Sequence, residues 1–226
     1  YFPARSIMMG EPAALATVRL AIARARGHGL VMKRDVCLYL NCMVVLGSHF
    51  DEDPKFSWAT DLLGHTDGVS PSERMTRVNG RMVRLAKTWR ACMMSGLQDA
   101  LLTLEATKER TAKRPELSVN EVVQQLERIF PEGTGNFTRK ELHDLAGKGL
   151  SRTGANGPVS SDERFLHISL MFLLGSGFDT DPQFPWIAEA LAKPATVGSE
   201  RRMHHLLADT LARVQQAVQM PIQARK

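Results

Sequence analysis

Apolar residues along this chain recur at steps of three and four, and no stretch alternates apolar and polar residues in the two-residue rhythm of a strand. Residues 11–28 open with Glu11-Pro12 and place Leu15, Val18, Ile22 and Ala25 on one helical face, with Arg19 and Arg26 off it; Gly27 and Gly29 stop the helix. Residues 35–46 are apolar around most of the circumference, including Val36, Leu38, Leu40, Met43 and Leu46, as a central buried helix would be. A short helix follows through Leu62-Leu63 to Gly64. Ser70-Pro71-Ser72-Glu73 then combines a serine cap, proline at the first helical position and glutamate at the third. It opens a helix with Met75, Val78, Met82, Leu85 and Trp89 as its stripe. Helical character continues over 97–108 through Leu97, Leu101 and Leu104.

The pattern then restarts. Ser118-x-x-Glu121 caps a helix with Val122, Leu126 and Ile129, and Thr138-x-x-Glu141 caps one with Leu142, Leu145 and Leu150, broken at Gly154 and Gly157. Ser160-x-x-Glu163 opens a second central helix, Phe165 to Leu174; the matching cap position earlier in the chain is Met32, which has no capping group. A last helix over 199–219 carries Met203, Leu206, Leu207, Leu211 and Val214 inward. The expected fold class is all-α.

One motif recurs. Leu46-Gly47-Ser48-His49-Phe50-Asp51-Glu52-Asp53-Pro54-Lys55-Phe56-Ser57-Trp58 returns as Leu174-Gly175-Ser176-Gly177-Phe178-Asp179-Thr180-Asp181-Pro182-Gln183-Phe184-Pro185-Trp186. The same offset aligns Phe2-Pro3 with Phe130-Pro131, and Arg74-Met75 with Arg202-Met203. We read a tandem duplication of one helical unit of four to five helices, with 1–112 as unit one, 113–117 as linker and 118–226 as unit two. Because the chain begins at Tyr1 in register with a unit interior, the sequence reading expects an N-terminal piece to be missing. In the motif, glycine closes one helix and the Asp-Pro pair starts the next. Phe50, Asp53, Pro54 and Trp58, with Phe178, Asp181, Pro182 and Trp186, are the residues expected to build the corner, and the two units are expected to superpose on them.

Chemistry is sparse. Asp51, Glu52 and Asp53 are oxygen donors side by side, but they lack the spacing of a calcium loop, and Thr180 removes one donor from the second copy. His204 and His205 are adjacent and diverge on a helix; His167 lies in the most apolar segment and reads as a satisfied core residue. Cys37, Cys42 and Cys92 read as small buried hydrophobes of a reducing compartment. No nucleophile set or glycine-rich phosphate loop is present; the Gly133-Thr134-Gly135 loop is too short a signal. The expectation is a protein without catalytic residues, cofactor or metal. A net charge of +5 on 226 residues suits an acidic protein partner, but not a dedicated nucleic-acid binder, and no apolar run is long enough to cross a membrane.

Arg74, Arg77, Arg81 and Arg84 recur at three- and four-residue steps, forming a basic stripe that reads as a solvated face pairing with Asp51, Glu52 or Asp61, as a docking surface for an acidic partner, or as a phosphate-binding face, though the interleaved aromatics the last would need are not seen. The second unit has Arg202, His205, Asp209 and Ala212 there, so the stripe is not a requirement of the fold and is the candidate partner-binding set.

The pattern Ala23-Arg24-Ala25-Arg26-Gly27-His28-Gly29-Leu30, then Arg34-Asp35-Val36-Cys37-Leu38-Tyr39-Leu40, then Gly47 and Phe50-Asp51-x-Asp53-Pro54-x-x-x-Trp58, with a second copy of the last at Phe178 to Trp186, resembles helical proteins encoded beside type VI secretion spike genes, and the C-terminal helical part of effector-loading adaptors. The resemblance implies non-enzymatic work in the bacterial cytoplasm: an adaptor or chaperone for a toxic effector. An immunity protein that neutralises a toxin, and the non-catalytic helical part of a secreted effector, are the alternatives.

Overall fold

The fold is all-α in a computed structural model that describes residues 6–7, 9–64, 68–86, 117–155 and 161–192, together with 205, 206, 208–210, 212 and 213. The expected stripe over 97–108, the cap at Ser160, Trp89, Cys92 and most of the terminal helix lie outside those residues.

The first half contains α1 (Glu11–Gly27), α2 (Lys33–Leu46), two single 3-10 turns (Phe50–Glu52 and Pro54–Phe56), α3 (Ser57–Leu63) and α4 (71–86). The second contains α5 (Val119–Ile129), a one-turn α6 (Pro131–Thr134), α7 (Arg139–Ala155), α8 (Ser161–Leu174), α9 (Pro185–Ala192) and helical residues between 205 and 213, α10. The halves match in detail. Helices α1 and α7 both have 17 residues, and α2 and α8 both have 14, at the offset of the repeated motif.

Local chemistry sets the ends. Ser118 and Glu121 form a complete capping box on α5, and Thr138 and Glu141 exchange the same pair of bonds ahead of α7. Ser70 accepts from the Glu73 N–H at the start of α4. Met32 stands at the N-cap of α2 with no capping bond. The Asp-Pro pairs differ from expectation. Asp53 caps a 3-10 turn and Asp181 a plain turn, and the α-helices start only at Ser57 and Pro185. Gly154 does not break α7, which runs through it to Ala155.

Each half has its own core. Met43, Phe50, Phe56, Met75 and Val78 are buried in the first; Leu126, Leu145, Phe172, Phe178 and Phe184 are buried in the second. Phe137 touches both, its ring 5.9 Å from Phe56 and 5.9 Å from Phe172. Helix α1 turns a different face inward than periodicity predicts. Thr17, Ala21 and Ala25 are buried, while Leu15 and Val18 are exposed. The i, i+4, i+8 ridge of small residues lets α1 lie close on α2, and Thr17 satisfies its hydroxyl on the Ala13 carbonyl at 2.8 Å. Cys37 is exposed rather than buried; Cys42 is buried, and burial pushes its thiol up to about 12.

The corner aromatics repeat their packing. Phe56 meets Trp58 edge-on at 6.2 Å, and Phe184 meets Trp186 edge-on at 5.5 Å. Each indole is covered by a guanidinium, Arg81 over Trp58 at 4.7 Å and Arg213 over Trp186 at 4.9 Å. Trp186→Ala is expected to destabilise by about 3–5 kcal/mol, the range for truncating a buried large aromatic. Urea denaturation checks this, and a loss below about 1 kcal/mol contradicts it.

Candidate functional site

The repeated motifs meet each other. Gly47 and Gly175 end α2 and α8 at φ 102° and φ 107°, a region that only glycine enters freely. A Cβ on Gly47 would also fall 2.7 Å from the Leu174 carbonyl oxygen, so the two helix ends are pressed together where no side chain fits.

Across this contact the two corner aspartates are exchanged. Asp53 accepts the Lys55 N–H of its own corner through Oδ1 at 3.0 Å, and the Ser176 N–H of the other corner through Oδ2 at 2.7 Å. Asp181 accepts its own Gln183 N–H at 2.9 Å, and the Ser48 N–H and hydroxyl at 2.8 Å and 2.6 Å. The residue two places after each aspartate reaches across to a helix end. Lys55 Nζ donates to the Met171 and Phe172 carbonyls at 3.1 Å and 2.6 Å, and Gln183 Nε2 donates to the Met43 carbonyl at 2.9 Å. All six polar residues are buried. Burial pushes the Lys55 pKa down, against the pull of Asp53 at 3.8 Å. The ammonium is further met by the ring faces of Phe56 and Phe172, at 5.1 Å and 5.6 Å. At one place the motifs differ sterically: the His49 ring fills the space beside Gly177, where a Cβ would lie 2.6 Å from it.

A second polar cluster surrounds Asp51. Arg24 Nη2 donates to Oδ1 at 2.7 Å; Tyr39 donates its hydroxyl to Oδ2 at 2.6 Å, and His28 Nε2 lies 2.8 Å from the same oxygen. Arg24 also pairs with Glu52 at 2.8 Å. Burial alone would raise the Asp51 carboxyl; hydrogen bonds from His28, Tyr39 and Arg24 outweigh it and hold the pKa at about 2. Burial and the Asp51 charge both push the Tyr39 phenol up. The second half has Arg152 on Asp179 at 3.2 Å, with His167 in place of Tyr39. Both aromatic partners keep their distance: Tyr39 lies 5.0 Å from Phe50, and His167 5.0 Å from Phe178. His167 is not the satisfied core histidine expected, since its Nε2 is buried with no hydrogen-bond partner among the described residues. Its pKa is lowered, chiefly by burial.

These contacts decide several readings. Asp51, Glu52 and Asp53 do not converge; Asp51 faces Arg24 and Asp53 faces the other half, and the described residues contain no group of metal-ligating side chains. The arginine stripe is split. Arg74 is buried and donates to the Leu63 and Gly64 carbonyls, completing the C-terminus of α3, so it is no docking residue. Arg77 is exposed and paired with Glu73 at 2.7 Å, Arg81 is exposed and lies on Trp58, and Arg84 is exposed. None of them meets Asp51 or Glu52, which Arg24 takes instead. Gly133 lies inside α6, where an added Cβ would fall 3.4 Å from the Phe172 ring, and it offers no anion loop. Arg24, His28, Lys55 and Gln183 stand within the sequence motifs, but no role is read for them there. The signal for one of them was available, because Arg24–Asp51 and Arg152–Asp179 repeat at the motif's own offset.

No family model, curated protein or solved structure matches the chain. Among the described residues no helix is long and apolar enough to cross a membrane.

Two outcomes are expected. Asp181→Ala strands buried N–H groups, at about 1–3 kcal/mol each. In a double-mutant cycle it should couple to Ser48→Ala by at least about 0.5 kcal/mol; additive losses would mean that the exchange does not form in solution. The second concerns acid. Asp51 has a depressed folded pKa, so its contribution is present above the unfolded value of about 3.9 and is lost as pH falls toward about 2. That contribution is on the order of 2 kcal/mol. Urea midpoints should fall over this window, and Asp51→Asn should flatten the fall.

Proposed function

We propose that this chain is a non-enzymatic protein-binding module of a type VI secretion system, acting in the bacterial cytoplasm as an adaptor or chaperone for a toxic effector. The corner motif that carries the resemblance is present in both halves, and we read the halves as copies of one unit, in line with the matched helix lengths and exchanged contacts. The observation that carries the binding role is the division of labour on α4. Arg74 turns inward and brackets the end of α3, while Arg77, Arg81 and Arg84 present cations outward from a helix anchored by Met75, Val78 and Met82. Guanidinium groups bind carboxylates through paired bonds and lose water more readily than ammonium groups, which suits an acidic protein surface. Asp51, Asp53, Lys55 and Asp181 are engaged with their own chain, in keeping with a platform rather than a reaction centre.

Co-expression with the products of neighbouring secretion genes, followed by affinity capture, tests the reading. A retained effector or spike component is expected; retention of none ends it. Rescue of growth against a toxin, with no requirement for the chain in secretion, would move the assignment to an immunity protein. For the surface itself, Arg77→Glu with Arg84→Glu is the suitable pair, because Arg81 also covers Trp58. The double variant should fold normally by circular dichroism and should bind the captured partner more weakly and more slowly. Unchanged affinity would leave these side chains as a solvated helix face.

A further inference from the structure

Helix α1 carries an apolar stripe on its outer side. Leu15 and Val18 are 48% and 38% exposed, Ile22 continues the line half-buried, and the exposed Arg19 and Arg26 run along its edge. The second half shows the Leu15 and Val18 positions buried more deeply in the equivalent helix. In α7 the counterpart of Val18 is Ala146, which is fully buried; that of Leu15 is His143, half-buried; that of Ile22 is Leu150, packed on the second core. Helix α5 lies against α7. It buries Val122, Val123, Leu126 and Ile129 and leaves Asn120, Gln124 and Glu127 in solvent. Among the described residues, α7 therefore has an amphipathic helix packed against it and a buried residue at the Val18 position, whereas α1 keeps its outer stripe exposed.

We propose that the open face of α1 is a docking groove for an amphipathic helix of a partner protein, seated as α5 is seated on α7. The partner helix presents apolar residues at i, i+3 or i+4, and i+7, with carboxylates along the flank that meets Arg19 and Arg26. A helix is the occupant because the stripe spans two turns and its filled counterpart holds one. The acidic flank follows from the two arginines. This proposal rests on the reading of the chain as a protein-binding module and names the element of the partner that is grasped.

The probe is a fluorescein-labelled, acetylated and amidated peptide with the sequence of residues 117–131, which holds α5 and carries Glu121 and Glu127. In the intact chain its own site is filled by α5, so binding reports the open face. Saturable binding at one peptide per chain is expected by anisotropy, weakening as salt is raised. Leu15→Asp with Val18→Asp should reduce affinity tenfold or more, with an unchanged circular dichroism spectrum and Tm; Leu15→Ser with Val18→Ser serves if the acidic pair perturbs the fold. Absence of binding, equal binding by the variants, or equal binding of a scrambled peptide overturns the proposal. So does a fall in Tm with the serine pair, which would mean that the chain's own residues already cover the face. Light scattering that finds a wild-type dimer and a variant monomer also overturns it, in favour of a second copy of this chain. Capture of a secretion partner by variants that no longer bind the peptide would sink this groove and leave the binding function standing.

Discussion

Each half of this protein ends its central helix with backbone groups that only the other half satisfies. A buried carboxylate is costly unless it is hydrogen-bonded on all sides, and a buried helix end is costly for the same reason. Asp53 and Asp181 meet both demands together. One oxygen of each closes the turn that follows it, and the other takes the N–H of the serine across the seam. Lys55 and Gln183 then supply donors to the last carbonyls of the opposing helices. The corner is therefore a shared structure. Removing one half would strand polar groups in the other, so the two cores are linked in free energy although their side chains form separate clusters.

The seam also accounts for what the two motifs share. Glycine is needed at 47 and 175 because two helix ends touch there. Serine is needed at 48 and 176 because an N–H must reach a carboxylate with little bulk beside it. The aromatic residues after the aspartates fill the space behind the turn, edge-on to the indoles. Polar residues that face outward differ between the halves: Glu52 stands against Thr180, and the exposed arginines of α4 have only a partial counterpart.

Helix positions, caps and corner aromatics were readable from sequence because they depend on neighbours three or four residues away. The phase of α1 was not. Periodicity gives weight to large apolar side chains, whereas close packing on α2 selected the small ridge Thr17–Ala21–Ala25 and left Leu15 and Val18 outside. Arg74 misled for a related reason. Its spacing matches that of Arg77 and Arg81, and nothing local distinguishes an arginine that brackets a neighbouring helix end from one in water. The Asp51 cluster gathers Arg24 and Tyr39 from two helices and His28 from the turn between them, and the exchange of Asp53 and Asp181 joins residues more than a hundred positions apart. Only the constant offset between the motifs carried any trace of such partners.

The fit of His49 beside Gly177 gives the seam a sense of direction. A first half placed against another first half would bring two imidazoles into one space and set two ammonium groups at the facing helix ends. Two second halves would meet with a void at Gly177 and no cation. Only unlike halves complete each other, so the seam selects a first half with a second half and rejects two of the same kind. The likeness of the motifs lets the halves exchange the same bonds, and their few differences fix which half meets which.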